Sequence, residues 1–127
     1  MRHMTKKRSA TERKIRKAKA EYVQDKPAIC ESCGEPSTYL GCSHIISVND
    51  CLYDPRYPKD LAWDTDNLTL ECHNVIRHGG LSCHQITEAK SEASIHYKVK
   101  QLNLEKKMLL YRQYMPWMAE MIDNYIR

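Results

Sequence analysis

The chain of 127 residues contains no phenylalanine, only four glycines and no long apolar run. No segment approaches the roughly 18 consecutive apolar residues that a membrane-spanning helix requires. The N-terminus also lacks the apolar stretch of a secretory signal, which favours an intracellular, cytoplasmic protein over a secreted or membrane protein. Hydrophobic residues still make up 42% of the chain, which is enough for one globular domain built on Tyr, Trp, Leu, Ile and Met.

The formal net charge of +4 is distributed unevenly along the chain. Residues 1–26 contain ten Lys or Arg against three Asp or Glu, whereas residues 27–86 contain three against eight. The basic segment suits a polyanion such as DNA, because each neutralised phosphate releases counterions; a solvated helix face is the alternative. The predicted nucleic-acid-binding side chains are Lys6, Lys7, Arg8, Arg13, Lys14, Arg16 and Lys17.

Two changes of pattern divide the sequence into three segments. Residues 1–26 contain no Gly or Pro and predict a basic helical arm. Residues 27–90 predict short strands and turns, with a strand over 40–47, a long loop over 49–66 and a second strand from Asn67 to Cys72. Residues 91–127 predict a C-terminal helical extension. Its helices, over 87–114 and 117–126, carry apolar stripes that suit core packing or a homodimer seam.

All six cysteines lie in the middle segment. Disulfides are disfavoured without a secretion signal, since clustered cysteines in a reducing compartment more often bind metal or act in catalysis. The spacing of the first pair lets two thiolates bind one tetrahedral Zn²⁺, and the last two cysteines can complete the site. Cys42 and Cys51 are left over, as small buried residues or substitute ligands, and a thiol redox role for the first pair is a weaker alternative. The predicted zinc ligands are Cys30, Cys33, Cys72 and Cys83.

Four short motifs follow one another along this segment: CESCG at 30–34, SHIIS at 43–47, DTDNLTLEC at 64–72 and SCH at 82–84. In this order they resemble the HNH (ββα-metal) endonucleases that carry a structural zinc knuckle, a type common in phage and mobile-element genomes. The resemblance covers residues 28–90. It implies an α+β fold, with a small zinc-stapled ββα-metal (HNH) core and flanking N- and C-terminal helices.

The resemblance also implies a metal-dependent DNA endonuclease that hydrolyses phosphodiester bonds to a 5′-phosphate and a 3′-hydroxyl. His44 then matches the general base, Asn67 the residue whose amide braces the loop carrying that base, and His84 a ligand of the catalytic Mg²⁺ or Mn²⁺. Since the middle segment is acidic, the DNA backbone would be held by the basic arm and by C-terminal lysines. These lysines are Lys90, Lys98, Lys100, Lys106 and Lys107.

Two features depart from the family pattern. Ser43 stands where the family has Asp or His as another metal ligand, so that a nearby carboxylate would have to replace it. The nearest carboxylates in sequence are Glu71, Asp64 and Asp66. Ten residues also separate Cys72 from Cys83, where the family commonly has two, and this insertion holds two more candidate ligands, His73 and His78. The alternative function is therefore a catalytically inactive zinc module that binds nucleic acid or a protein partner.

Overall fold

The computed structural model describes residues 6–73, 80–88 and 100–126. In these ranges the chain is a small α+β fold with five α-helices and one two-stranded antiparallel sheet. The helices are α1 (Lys6–Val23), α2 (Val48–Tyr53), α3 (Cys83–Glu88), α4 (Leu104–Tyr114) and α5 (Pro116–Ile126), and the strands are β1 (Leu40–His44) and β2 (Leu68–Cys72). A search of the described helices finds none with the length and hydropathy to cross a membrane.

Helix α1 occupies the basic N-terminal segment, as its content of strong helix formers predicts. It is not a free arm, because it packs against the turns at residues 59–67. Ala18 is buried, Ile15 packs against the main apolar core, and the Lys14 ammonium lies 4.7 Å from the centre of the Trp63 ring. The helix therefore forms one wall of the fold and leaves most of its described charged side chains exposed.

The segment expected to be a long loop, residues 49–66, is largely folded. It contains most of α2 and two 3-10 turns, Lys59–Trp63 and Thr65–Asn67. The Ser47 hydroxyl caps α2 by accepting a hydrogen bond of 3.1 Å from the Asp50 amide. Leu61 and Ala62 are buried in the first 3-10 turn. The abundant Asp and Pro residues of this segment are caps and turn residues of short elements rather than signs of an open loop.

The two strands pair in antiparallel register, with Leu40 opposite Cys72 and His44 opposite Leu68. All five residues of β2 are buried, which makes it the central strand of the domain. The strand predicted over 40–47 stops at His44, where the chain leaves the sheet. The register therefore puts His44 at one end of the sheet and Cys72 at the other.

One apolar core joins the three predicted segments. Ile45 and Ile46 leave β1 and enter it, while α4 and α5 contribute residues such as Tyr111, Met118 and Ile122. All five side chains are at most 2% exposed, and each such burial contributes about 1.5–3 kcal/mol. Part of the apolar stripes of α4 and α5 is therefore used within the chain, whereas other stripe residues, Leu109, Trp117 and Tyr125, are exposed. Of the helix predicted over 87–114, the described residues show the end of α3 at Glu88 and all of α4, with residues 100–103 not helical. Residues 89–99 lie outside the described ranges.

Candidate metal centre and active-site cleft

Four cysteines come together at the end of the sheet where β2 finishes. The sulfur atoms of Cys30, Cys33, Cys72 and Cys83 all lie within 4.8 Å of one another. Tetrahedral Zn²⁺ with Zn–S bonds of about 2.3 Å needs sulfurs about 3.8 Å apart, so this donor set fits zinc with only small movements. Among the described residues, no other group of three or more His, Cys, Asp or Glu side chains is placed to share an ion. The predicted convergence of the four cysteines is confirmed.

The knuckle at residues 30–34 is preorganised for a thiolate. Gly34 adopts a φ of 78°, which favours glycine, and its amide donates to the Cys30 carbonyl at 2.8 Å. The amides of Cys33 and Cys72 donate to the Cys30 sulfur at 3.4 and 3.3 Å. A hydrogen bond from the Cys83 thiol, together with these amides, lowers the pKa of Cys30 to about 4 despite burial. The same bond to Cys30 raises the pKa of Cys83, and a bound cation would take the place of that shared proton.

The two remaining cysteines lie apart from this cluster. Cys51 is buried in the main core and its thiol donates to the Ile46 carbonyl at 3.6 Å. Cys42 is half-buried and lines a cleft at the other end of β1. Neither is among the cysteines that share the metal centre.

That cleft has a volume of about 370 Å³, and both predicted catalytic histidines line it. His44 Nε2 lies 2.8 Å from the Ala62 carbonyl oxygen. Because a carbonyl can only accept, Nε2 carries the proton in this tautomer and Nδ1 carries the lone pair. A general base needs such a lone pair, so the tautomer suits the role that the resemblance implies for His44.

Asn67 is completely buried behind His44 and makes three backbone hydrogen bonds. Its Oδ1 accepts from the Ile46 amide at 2.7 Å, and its Nδ2 donates to the Ile46 and Leu61 carbonyls at 2.9 and 3.1 Å. These bonds hold Ile46, two residues after His44, and Leu61, the residue before Ala62. The side chain thus braces both the segment that carries the histidine and the carbonyl that orients its ring.

His84 also lines the cleft, as the second residue of α3. Its Nδ1 contacts the Ser43 hydroxyl, and its Nε2 lies 2.9 Å from a carboxylate oxygen of Glu88, one helical turn later. Burial lowers the pKa of His84, which favours the neutral imidazole that can ligate a cation. Sequence reasoning missed Glu88, although its spacing of four residues from a predicted ligand on a helix was an available signal.

The three carboxylates nearest in sequence do not line this cleft. Glu71 is buried elsewhere, where it pairs with the Lys107 ammonium at 3.0 Å and accepts a hydrogen bond of 3.1 Å from Asn103. Asp64 accepts from the Asp66 amide at 2.9 Å and so caps the second 3-10 turn. The carboxylate that stands near Ser43 is instead Glu88.

The insertion between the last two cysteines of the cluster adds an imidazole close to His84. The His73 ring stacks on the His84 ring with centroids 3.8 Å apart and planes inclined by 20°. It also lies over Gly41, where an added β-carbon would overlap the ring. His78, the other histidine of the insertion, lies outside the described residues. His73 therefore supports the face of His84, and glycine at position 41 makes room for it.

The Lys and Arg side chains predicted to bind nucleic acid are only partly described by the structure. Arg13, Lys14, Arg16 and Lys17 are exposed on α1, and the backbone of residues 6–8 belongs to the same helix. The side chains of Lys6, Lys7 and Arg8 lie outside the described part of the chain. Lys19, which was not among the predicted contacts, lines the cleft together with His44 and His84.

The predicted contact with the DNA backbone is wrong for Lys107, and Lys106 is engaged within the fold. Lys107 is completely buried, and its ammonium contacts Glu71 and the Thr87 hydroxyl. Lys106 is half-buried and donates to the Leu68 carbonyl and to the Tyr22 hydroxyl. Both ammonium groups hold elements of the fold together. Lys100 is exposed, whereas Lys90 and Lys98 fall outside the described ranges.

Comparison with models of known families, with curated proteins and with solved structures finds no match to this chain. Its function must therefore be inferred from the cleft and the cysteine cluster themselves.

Proposed function

We propose that the protein is a metal-dependent DNA endonuclease of the HNH type, stabilised by Zn²⁺ on its four clustered cysteines. The observation that carries the proposal is that His44 and His84, from separate elements, line one cleft, and that Cys83, the residue before His84, belongs to the cysteine cluster. The pairing of β1 with β2 positions His44 at the end of β1. Cys83, the first residue of α3, would connect this helix to the bound metal. His84 follows Cys83 directly, so the structural metal would also fix this second histidine.

His44 has the geometry of a general base. Its Nδ1 would take a proton from the water that attacks the scissile phosphate, while Nε2–H stays bonded to the Ala62 carbonyl at 2.8 Å. This bond fixes the ring orientation, and the carbonyl dipole stabilises the imidazolium that forms. Asn67 holds both ends of this arrangement in place through its bonds to Ile46 and Leu61.

Three side chains that line the cleft have donors that fit a hard divalent cation. His84 offers an imidazole nitrogen, Glu88 a carboxylate oxygen and Ser43 a hydroxyl oxygen. Mg²⁺ and Mn²⁺ accept such a set, since they are commonly bound through few protein ligands and keep several waters. When bound, the ion would stabilise the charge that develops on the phosphate and on the departing 3′ oxygen. Glu88 would supply the carboxylate that the family has at the position of Ser43.

Nucleic-acid binding is assigned to α1. Its exposed cations continue from the rim of the cleft, where Lys19 lies, along the solvent face of the helix. Phosphate contacts of this kind position a strand without reading its sequence.

A second candidate function is a zinc module that binds nucleic acid or a protein partner without cutting. This function is favoured by Ser43, whose neutral hydroxyl contacts His84 Nδ1. The HNH family has Asp or His, a stronger metal ligand, at this position. In that case the cleft would bind no catalytic ion.

Nicking of supercoiled plasmid distinguishes the two functions. The wild-type chain should nick with Mg²⁺ or Mn²⁺ and not with EDTA, and His44→Ala should abolish the activity. Tyr53→Phe is a matched control, since Tyr53 is exposed outside the cleft and should leave the rate unchanged. Plasmid binding without any nicking would support the inactive module instead.

A further inference from the structure

A second cavity opens between α1 and α2, directly beside the cleft. It has a volume of about 320 Å³, and its apolar floor consists of Ile15, Val48 and Leu52. Lys19 and Val48 line both this cavity and the cleft that holds the histidines, so the two spaces adjoin. This second cavity is called the α1–α2 groove below.

The groove combines an apolar floor with a charged rim. Arg16 and Lys19 stand on its α1 side, and Glu12 lies further along the same helix. With a rise of about 1.5 Å per residue, Arg16 lies roughly 4.5 Å along the axis from Lys19, and Glu12 a further 6 Å away. The two cations are therefore next to the cleft, and the carboxylate is at the far end. Positive charge marks where a phosphate can bind, and the carboxylate disfavours a phosphate beyond it.

This pattern matches the chemistry of a single nucleotide. A binding pocket for a small organic group is commonly apolar with a few placed polar side chains, which is the composition of this groove. A nucleobase presents apolar faces to such a floor, while the phosphates on either side of it need cations. Lys19 is shared with the cleft, so a strand that enters the cleft can continue into the groove past this ammonium.

We infer that the α1–α2 groove binds the base of the nucleotide next to the phosphodiester bond that is cut. The inference rests on the proposed function, and it names a substrate class. A base that lies on Ile15, Val48 and Leu52 has left its stack and its partner strand, and extrusion costs least where the strand is already unpaired. The preferred substrate is therefore single-stranded or locally unpaired DNA.

Two fluorescent single strands of equal length test this inference by binding alone. One is oligo-thymidine and the other carries abasic sugars throughout, so that both have the same phosphate charge. In the His44→Ala background, which should not cut, oligo-thymidine should bind about tenfold more tightly, because a base that lies on the aliphatic floor removes apolar surface from water. Arg16→Gln should weaken the binding of both strands by a similar factor, because it removes a phosphate contact only.

Substitutions in the floor then locate the base. Leu52→Trp fills the groove and should bring the affinity ratio of the two strands close to one. Tyr53→Trp is the matched control, since the neighbouring Tyr53 is 63% exposed outside the groove and should keep the tenfold ratio. Leu52 also packs against the core, so Val48→Thr, which keeps the side-chain shape, is the second variant and should lower the ratio as well.

The outcomes separate this inference from the proposed function. An affinity ratio near one in the starting protein, or a ratio that neither floor variant changes, overturns the groove as a base site. Nicking of plasmid by a chain with no base preference would keep the endonuclease and refute the groove. A tenfold base preference in a chain that never nicks would refute the endonuclease and keep the groove.

Discussion

The two histidines of the cleft differ in what surrounds their ring nitrogens. His44 is oriented by a backbone carbonyl, whereas His84 lies between a hydroxyl and a carboxylate. We therefore expect His44→Ala to abolish nicking at every metal concentration, because added metal cannot replace a base. His84→Ala should lower ion affinity instead, so that high Mn²⁺ partly restores the rate by mass action. Nicking rates measured against Mn²⁺ concentration for both variants test this difference.

Ser43→Asp is a second test of the metal-ligand role assigned to His84. Ser43 is buried against His84, so a carboxylate there should lower the Mn²⁺ concentration needed for half-maximal nicking. Rescue of His44→Ala by metal, with no rescue of His84→Ala, would contradict the roles given to the two residues.

At the scale of elements, α1 has one face packed on the core and one exposed face that is rich in Lys and Arg. Its buried face holds Ile15 and Ala18, so removal of the whole helix would damage the core together with the charge. Point substitutions isolate the charge: Arg13→Gln and Lys17→Gln should each make the plot of log affinity against log salt shallower. The expected change is about 0.7 per lost contact for a single strand and about 0.9 for duplex DNA. Affinity titrations at several salt concentrations measure the slope.

The control for the slope is Lys59→Gln, an exposed lysine on the first 3-10 turn within the acidic segment. Its slope should equal that of the wild type. If Arg13→Gln and Lys17→Gln also keep the wild-type slope, these two side chains do not contact the phosphates.

Helix α3 is tied to β2 and α4 by a buried polar network. Lys107 donates to Thr87 of α3 at 2.8 Å and pairs with Glu71 of β2 at 3.0 Å, and burial lowers its pKa while Glu71 opposes that shift. Lys107→Met should destabilise the fold by about 3–5 kcal/mol, because it leaves a buried carboxylate without its partner. Adding Glu71→Gln should recover a large part of that loss. Urea unfolding of the single and double variants measures both free energies.

Lys100→Met is the matched control for this network, because Lys100 is exposed and should tolerate the change. If Lys107→Met lowered the free energy of unfolding by less than about 1 kcal/mol, the buried pair would stabilise the fold no more than a surface ion pair does. It would then contribute little to holding α3 in place.

At the scale of the whole molecule, the cysteine cluster joins distant parts of the chain. Cys30 and Cys33 precede the sheet, Cys72 ends β2, and Cys83 begins α3. We expect one Zn²⁺ per chain and expect Cys30→Ser to lose both metal and fold, since a structural zinc contributes on the order of 10 kcal/mol in small domains. Cys42→Ser should keep both. Metal analysis and circular dichroism test this, and freshly purified protein without zinc would contradict it.

Features that depend on residue type and local spacing could be read from the sequence. The composition of α1 predicts its helix, because propensity acts residue by residue. The knuckle spacing predicts that Cys30 and Cys33 share an ion, because two thiolates so close in sequence can reach the same point. Chemical class made Cys72 and Cys83 candidate ligands as well, but it did not separate them from Cys42 and Cys51, which the tertiary structure leaves out of the cluster.

Features that depend on which distant groups become neighbours were decided only by the tertiary structure. Nothing in the sequence separates Glu71 from an available carboxylate ligand, yet packing buries it against Lys107. Lys19 reaches the cleft only because α1 packs on the turns at residues 59–67. Charge and periodicity cannot distinguish these cases, because the energy of a charged side chain depends on its partner and its burial, and packing sets both.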